Sequence, residues 1–309
     1  MARRVAVVLL VTAALVLAGI GAYSRIYSIP DVAQTDVPVF AGKETPPPAA
    51  DEFAQLAETD PVGMLAACLA RYEQDAKGFK ATLTKRERVD GKLGETERVR
   101  IAACGDVPGP DKATRVRVVM IWDEGARKDD FGNEVRASAY AEGENGGQML
   151  IYRPKAIFLK DFSIDPKTKL ARGSSRYCIT DAGIYRGMLR TYAAWKRHKD
   201  AGDLKTEYLG KRTAPEVGGR ECHVVKRTCA SAEVDSFALD EQAPTDPKTI
   251  ERDGFTEVTV FIDAERHLQL GTVIRRANGD LVGEYYFRDV ELVRDELPPD
   301  SFTAAALRN

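Results

Sequence analysis

Histidines, the commonest ligands of transition metals in proteins, are few in this sequence and widely spaced. The three histidines are His198, His223 and His267. They fall on a predicted helix end, a strand and a turn, and none stands at metal-ligand spacing from another histidine or a cysteine. Cys222 directly precedes His223, but neighbouring residues of a strand point to opposite faces of the sheet. The pattern predicts ordinary surface or half-buried histidines and no metal site.

Carboxylates that could share acid-base chemistry occur at two places. Glu142 is close to Glu144, and Glu284 is close to Arg288 and Asp289. Catalytic carboxylates must flank a substrate in a cleft, and nothing in the sequence places either group in one. The sequence also lacks the nucleophile elbow, the zinc-helix motif, the phosphate loop and the dinucleotide fingerprint. We therefore predict a protein that is not an enzyme, with no catalytic residue and no cofactor.

Arginines recur at alternate positions of three consecutive predicted strands. Alternate residues share one face of a strand, so strands paired in register would form a basic ladder on the outer face of the sheet. This ladder could meet anionic lipid headgroups, a cell-wall polymer or a protein partner. The alternative is a solvated face, balanced by Glu87, Glu95 and Glu97, whose charges discourage edge aggregation. The six residues are Arg86, Arg88, Arg98, Arg100, Arg115 and Arg117.

A second candidate site is apolar. Large hydrophobic side chains on several predicted strands and on one helix would share the concave face of a curved sheet. There they either pack into a dry core or leave a groove for an acyl chain. The predicted groove residues are Leu83, Val118, Met120, Trp122, Leu270, Tyr286, Met188, Tyr192 and Trp195.

Strands are the main elements that position these residues. Residues 257–302 contain three alternating hydrophobic runs joined by short turns, one of which carries Asn278-Gly279. Asparagine and glycine tolerate the positive φ of tight hairpin turns, so the pattern predicts an antiparallel meander. Further alternating runs predict strands within residues 79–103, 114–122, 135–153 and 205–228.

Two helices interrupt the strands. The first begins at Asp60-Pro61, because aspartate caps free amides and proline suits the first helical position. The second begins at Thr180 and Asp181 and ends in the cationic run 196–199. Residues 163–173, between the strands and this helix, are predicted to form a loop. We predict a mainly β (α+β) fold, a curved antiparallel half-barrel of about 8 to 11 strands with both helices packed on its concave face.

The N-terminus predicts export. Residues Val5 to Ala22 contain one polar side chain, Thr12, and follow Arg3 and Arg4. As a helix this segment would span about 27 Å, close to the thickness of the hydrocarbon core. The arginines favour a cytoplasmic start. We predict a signal-anchor or signal peptide at residues 1–26, a proline-containing linker at 27–60 and a folded domain at 61–309.

The favoured location is the inner membrane, crossed once, with the folded domain in the periplasm. The alternative is secretion to the periplasm after signal cleavage. The formal net charge of −2, from 45 basic and 47 acidic residues, gives no overall attraction to nucleic acid, so we expect no nucleic-acid partner. The oligomeric state is left open.

The five cysteines leave their pairing open. An exported protein meets oxidising conditions, but an odd count leaves at least one thiol unpaired. Cys104 with Cys178 is the least implausible pair, and packing roles are favoured for all five. The cysteines are Cys68, Cys104, Cys178, Cys222 and Cys229.

The end of the chain resembles the periplasmic lipoprotein carriers of the LolA and LolB type. The resemblance rests on Ile262-Asp263 before a strand, Asn278-Gly279-Asp280 at a turn, Tyr285-Tyr286-Phe287 in the last long strand, and then Leu297 and Phe302. It implies a strongly curved antiparallel half-barrel whose concave face holds acyl chains under helical lids. Because one fold serves many functions, the resemblance supports the fold more than the function.

A more specific resemblance spans about residues 61–195. Pro61-Val62-Gly63-Met64-Leu65, Lys85-Arg86-Glu87-Arg88, Trp122-Asp123-Glu124-Gly125 and Glu142-Gly143-Glu144-Asn145-Gly146-Gly147 are similar to a bacterial envelope family of unknown function, the domain family numbered fifteen seventy-one. This family implies no activity and no catalytic residues.

Two classes of function follow. The first is a membrane-anchored, non-enzymatic envelope module that binds a lipid, lipoprotein or other apolar ligand in the groove. The second is a structural or interaction domain with a solid core that docks through its arginine face. A cavity on the concave face favours the first class, and a dry core filled by Met188, Tyr192 and Trp195 favours the second.

Overall fold

The computed structural model describes residue 40 and residues 50–308, except 110–112, 129–131, 158 and 296. This part of the chain forms one twelve-stranded sheet. The strands are β1 (Gly78–Val89), β2 (Lys92–Leu93), β3 (Glu97–Cys104), β4 (Arg117–Glu124), β5 (Ala137–Ala141), β6 (Met149–Tyr152), β7 (Asp161–Ile164), β8 (Lys205–Ala214), β9 (Arg220–Glu233), β10 (Phe255–Asp263), β11 (Gln269–Arg275) and β12 (Leu281–Val293).

Every neighbouring pair of strands in the sheet is antiparallel. The order is β7-β6-β5-β4-β3-β1-β12-β11-β10-β9-β8, with β2 paired to β1 alone. The first and last strands of this order do not pair, so the sheet is unclosed. The predicted mainly β, antiparallel architecture is confirmed, but the strand count exceeds the prediction because β2 and β7 are too short to show a periodic pattern.

Five α-helices accompany the sheet in the described residues. Three of them lie outside the two predicted helices: α1 occupies the end of the predicted linker, α3 replaces part of the predicted loop at residues 163–173, and α5 precedes β10. The helices are α1 (Ala50–Thr59), α2 (Pro61–Asp75), α3 (Lys169–Ser174), α4 (Ile184–Ala201) and α5 (Pro247–Asp253).

The start of α2 follows from local chemistry. The Asp60 carboxylate accepts a hydrogen bond of 3.0 Å from the Gly63 amide, and Pro61 takes the first helical position. These contacts satisfy or remove amide donors that the first turn cannot pair internally. The apolar face of α2 is buried, since Leu65, Cys68, Leu69 and Tyr72 have no exposed surface.

The long helix α4 starts later than predicted. Gly183 precedes it with φ at 124°, and a Cβ there would lie 2.9 Å from the Phe79 ring. Only glycine tolerates both the backbone conformation and the close approach. Asp181, which the sequence assigns to the helix start, instead accepts hydrogen bonds from the Leu239 amide and the Arg190 side chain.

The main core lies between the sheet and the helices α2 and α4. Tyr72 of α2 and Tyr185 of α4 pack with ring centroids 5.3 Å apart. Tyr185 donates a hydrogen bond of 2.8 Å to Glu73, which gives the two helices a polar contact within an apolar layer. The same core contains Trp195, which is 1% exposed.

Within the described residues, no helix has the length and apolar character needed to cross a membrane. The predicted anchor from Val5 to Ala22 lies outside those residues, as does most of the predicted linker. The anchor, the linker and the location in the envelope therefore stay predictions.

Replacing Asp60 tests the helix start. We expect Asp60→Ala to lower the free energy of unfolding by about 1 kcal/mol, because the cap of α2 is lost. Asp60→Asn keeps an acceptor for the Gly63 amide and should lose less. Urea unfolding of the three proteins measures the difference, and equal losses for both variants would show that the cap is not what stabilises this helix.

Candidate ligand cavity

The inner face of the sheet borders a cavity of about 1370 Å³. Its wall takes residues from β7 at one side of the sheet and from β9 near the other. Nine inter-strand steps of about 4.8 Å would separate these strands by about 43 Å in a flat sheet. A single cavity of this volume can touch both only if the sheet curves around it.

Four of the predicted groove residues border the cavity. Leu83 of β1, Met120 and Trp122 of β4, and Trp195 of α4 all belong to its wall. Their role in binding a ligand stays a prediction. Their common position shows that alternation along β1 and β4, together with helical spacing in α4, is enough to bring these side chains to one face.

The other predicted groove residues lie elsewhere. Val118, Leu270 and Met188 are buried in the main core and leave no surface to the cavity. Tyr192 packs edge-to-face on Phe40, with 4.8 Å between ring centroids.

Tyr286 requires a correction. It lies on the opposite face of β12, with its ring 6.1 Å from that of Phe261. Tyr285 and Phe287 face the cavity in its place. Because residues 285–287 are all aromatic, the sequence alone could not show whether Tyr286 or its two neighbours face the cavity.

The sequence analysis missed one side of the wall. Met149 and Ile151 of β6, Ile164 of β7 and Ala171 of α3 form a separate small core that borders the cavity. The alternation of Met149 with Ile151 was a usable signal. The lysine-rich residues around α3 gave none.

A buried ionic network forms part of the cavity wall. The Glu87 carboxylate accepts hydrogen bonds from Lys85 at 2.7 Å, Arg127 at 3.0 Å and Tyr285 at 2.9 Å. The Glu97 carboxylate accepts from Trp122 Nε1 and Arg127 Nε, both at 2.7 Å. Two cations thus balance two carboxylates in a place where an unpaired charge would be strongly disfavoured.

The network lowers the pKa of Glu87 and raises the pKa of Arg127. Burial alone would raise the pKa of Glu87, but Lys85 and Arg127 hold it below its ordinary value of 4.5. Glu87 and Glu97 raise the pKa of Arg127 against the effect of burial. Burial and the Glu87 charge both raise the pKa of Tyr285. At neutral pH Glu87 and Arg127 therefore stay charged, and the Tyr285 phenol stays a hydrogen-bond donor.

The same network attaches α3 to the sheet. The Arg127 guanidinium donates to the Ser174 carbonyl at the end of α3, and the Ser175 hydroxyl donates to Glu87 at 3.3 Å. Residues far apart in sequence are therefore held together at one side of the cavity. We call the four ions Lys85, Glu87, Glu97 and Arg127 the inner ion cluster.

The predicted basic ladder is largely neutralised. Arg98 pairs with Glu124 at 2.6 Å, Arg100 with Asp123 at 3.2 Å and Arg117 with Glu144 at 3.0 Å. The carboxylates come from β4 and from the turn after β5, whereas the expected balance from Glu87 and Glu97 does not occur because both point inward.

Two of the remaining ladder residues contact the backbone. Arg86 donates to the Gly94 carbonyl and Arg88 to the carbonyls of Gly91 and Leu281. Arg115 is exposed just before β4. The six arginines thus do not form a continuous cationic surface.

The other chemistry-bearing residues have ordinary packing contacts. All five cysteines are free and buried, so the Cys104–Cys178 pair is not formed, and burial raises the pKa of Cys178 to about 12. His267 stacks on Phe53 at 4.0 Å. Glu142 accepts from the Val116 amide at 2.9 Å. Among the described residues, no three metal-binding side chains are grouped to hold an ion.

A family model described as "Protein of unknown function (DUF1571)" matches residues 76–249. The chain belongs to the DUF1571 family. The match confirms the resemblance predicted from the sequence and extends it beyond residue 195, through α4, β8 and β9. A comparison with curated protein sequences finds no match.

Several solved structures share the general arrangement of this DUF1571 chain at low identity. MucB is 14% identical with a TM-score of 0.43, and the match covers 80% of this chain and 63% of MucB, so the chain spans less than two thirds of that protein. LprF from Mycobacterium bovis is 13% identical with a TM-score of 0.42, covering 77% and 95%. The LolA superfamily protein NE2245 from Nitrosomonas europaea is 10% identical with a TM-score of 0.31, covering 78% and 97%.

Replacing Arg127 tests how much the inner ion cluster contributes to the free energy of unfolding. Arg127→Ala leaves two buried carboxylates with a single cation, so we expect the free energy of unfolding to fall by about 3 kcal/mol. Lys196→Ala, which breaks an exposed pair with Asp200, should leave stability near that of the wild type. Urea unfolding measures the free energy of unfolding of both variants. Equal losses would show that the inner ion cluster stabilises the fold no more than an exposed ion pair does.

Acidification tests Glu87 directly. Its pKa is lower in the folded chain than the ordinary 4.5, so its carboxylate stabilises the fold above that pH and the stabilisation is lost as the pH falls further. Glu87→Gln should therefore flatten the loss of unfolding free energy between pH 4.5 and about pH 3. Urea midpoints across this range provide the measurement, and an unchanged slope contradicts the assignment.

Proposed function

We propose that this chain is a non-enzymatic, membrane-anchored module of the periplasm that binds the acyl part of a lipid or lipoprotein in its cavity. The observation that carries the proposal is the cavity of about 1370 Å³ on the inner face of the curved sheet. Pockets that hold drug-sized ligands occupy roughly 300–1,000 Å³, so this space suits a long apolar ligand.

The composition of the wall supports an apolar ligand. Met120, Met149, Ile151 and Phe287 contribute large hydrophobic side chains from three different strands. Methionine is flexible and polarizable, so it can adapt to acyl chains of different shape. Lys85 and Arg127 pair with Glu87 and Glu97, so a hydrocarbon chain would meet no unpaired charge from these four ions.

The packing of α4 favours a ligand groove over a solid core. Met188 packs fully within the core and Tyr192 packs on Phe40, so neither fills the space beneath the sheet. Trp195 reaches the cavity but forms only part of its wall. The side chains that would have filled a dry core are thus used elsewhere.

Docking through the arginine face has less support. Three of the six arginines are neutralised by carboxylates, and two more contact backbone carbonyls. Exposed ion pairs contribute little free energy and present no net charge to a partner. The interaction domain with a solid core is therefore the less favoured function.

Filling the cavity tests the proposal without weakening the fold. Gly187 lies in α4 on the cavity wall, and a Cβ there would have no heavy atom within 4 Å. Gly187→Phe should project a ring into the cavity. Because glycine is about 1 kcal/mol less favourable than alanine within a helix, we expect stability to be retained or raised. Native mass spectrometry of full-length protein from membranes should show bound lipid on the wild type and little on the variant.

The matched control lies on the same helix. Ala193 is exposed and outside the wall, so Ala193→Phe adds a similar ring without entering the cavity. It should retain lipid as the wild type does. Equal lipid on Gly187→Phe and the wild type would place the ligand outside the cavity, and no lipid on the wild type would contradict the proposal.

A further inference from the structure

The connection between β6 and β7, of which residues 153–157 and 159–160 are described, presents two apolar side chains to solvent at the edge of the cavity. In the part of the chain that the structure describes, three large hydrophobic side chains are exposed: Ile157 at 87%, Leu159 at 45% and Leu209 at 45%. The first two lie in this connection and belong to the cavity wall. We call Ile157 and Leu159 the cavity lip.

The lip is held in place by specific contacts. The Arg153 side chain donates to the Leu159 carbonyl at 2.7 Å, and the Arg153 amide donates to the Lys160 carbonyl at 2.8 Å. Leu159 has φ at 52°, a conformation that a branched hydrophobic residue adopts rarely. The exposed position of Leu159 is thus imposed by this hydrogen-bonded loop.

Two lysines flank the lip. Lys155 is 73% exposed and pairs with Glu134 at 2.8 Å, and Lys160 is also exposed. Apolar tips beside lysines are typical of segments that rest in the interface of an anionic bilayer, where the apolar part enters the acyl boundary and the cations meet headgroups. Two side chains are too few for a stable protein interface, which needs about 800 Å² from each partner.

We infer that the cavity lip contacts the surface of an anionic bilayer, so that an acyl chain passes between membrane and cavity without crossing water. The inference rests on the proposed function, because only an apolar ligand needs this route. Exposing each methylene group to water is unfavourable, and a mouth that touches the bilayer avoids that exposure. Residues 23–49 could span at most about 90 Å, enough for a tethered domain to turn its lip to the membrane.

A fluorescent probe on the lip tests the contact. Because all five native cysteines are buried, Ile157→Cys can be labelled selectively with an environment-sensitive dye. The full-length chain is placed in nanodiscs of equimolar phosphatidylcholine and phosphatidylglycerol that contain spin-labelled lipid. The control probe is Leu209→Cys, the third exposed hydrophobic position, on the edge strand β8 and outside the cavity wall.

At position 157 we expect the dye emission to shift to the blue and the spin-labelled lipid to quench it strongly. At position 209 we expect neither change. Lys160→Gln should weaken the contact about fivefold, and Lys155→Gln should weaken it less because Lys155 already pairs with Glu134. Nanodiscs of phosphatidylcholine alone should weaken the contact at least as much as Lys160→Gln does. Equal quenching at both positions, or quenching that ignores lipid charge and the two lysines, would overturn the inference.

This readout is independent of ligand uptake. The probe at position 157 reports contact with the membrane whether or not the cavity is filled. Quenching at 157 without bound lipid would support the lip and refute the proposed function. Bound lipid without quenching would support the proposed function and refute the membrane contact of the cavity lip.

Discussion

The inner ion cluster is the interaction on which the cavity depends. Lys85 and Glu87 come from β1, Glu97 from β3, and Arg127 from the segment after β4. The ions satisfy one another where water is largely excluded, which is the condition under which buried charges are tolerated. Through Ser174 and Ser175 the same ions hold the end of α3 against the sheet. The cluster thus closes one side of the cavity with polar contacts.

The open sheet explains why a cavity exists beside a well-packed core. Helices α2 and α4 cover one half of the inner face and form the main core with it, while α3 and the strands β6 and β7 form a small separate core. Tyr140 and Ile179 pack against both cores, and the cavity takes its wall from both. Interiors are normally close-packed, so a space of this size that persists between two cores suits a ligand better than it suits a structural defect.

Local chemistry made much of the fold predictable. Asp60-Pro61 marks a helix start through contacts within four residues, and the alternation in β10, β11 and β12 is readable because one face of each strand is dry. Contacts between residues far apart in sequence could not be predicted. The carboxylates that neutralise Arg98 and Arg100 lie on β4, and α3 depends on Arg127, which is distant in sequence. The choice of Tyr285 over Tyr286 for the cavity face depends on register, which the pairing of β12 with β1 and β11 sets.

The most direct test of the cavity as a ligand site is a crystal structure of the protein purified from membranes without delipidation. The structure predicts elongated electron density along the inner face, bounded by Trp122 and Tyr285 on the sheet and by Trp195 on α4. A cavity that holds only ordered water, or that collapses as α4 moves onto the sheet, would contradict a lipid-binding role.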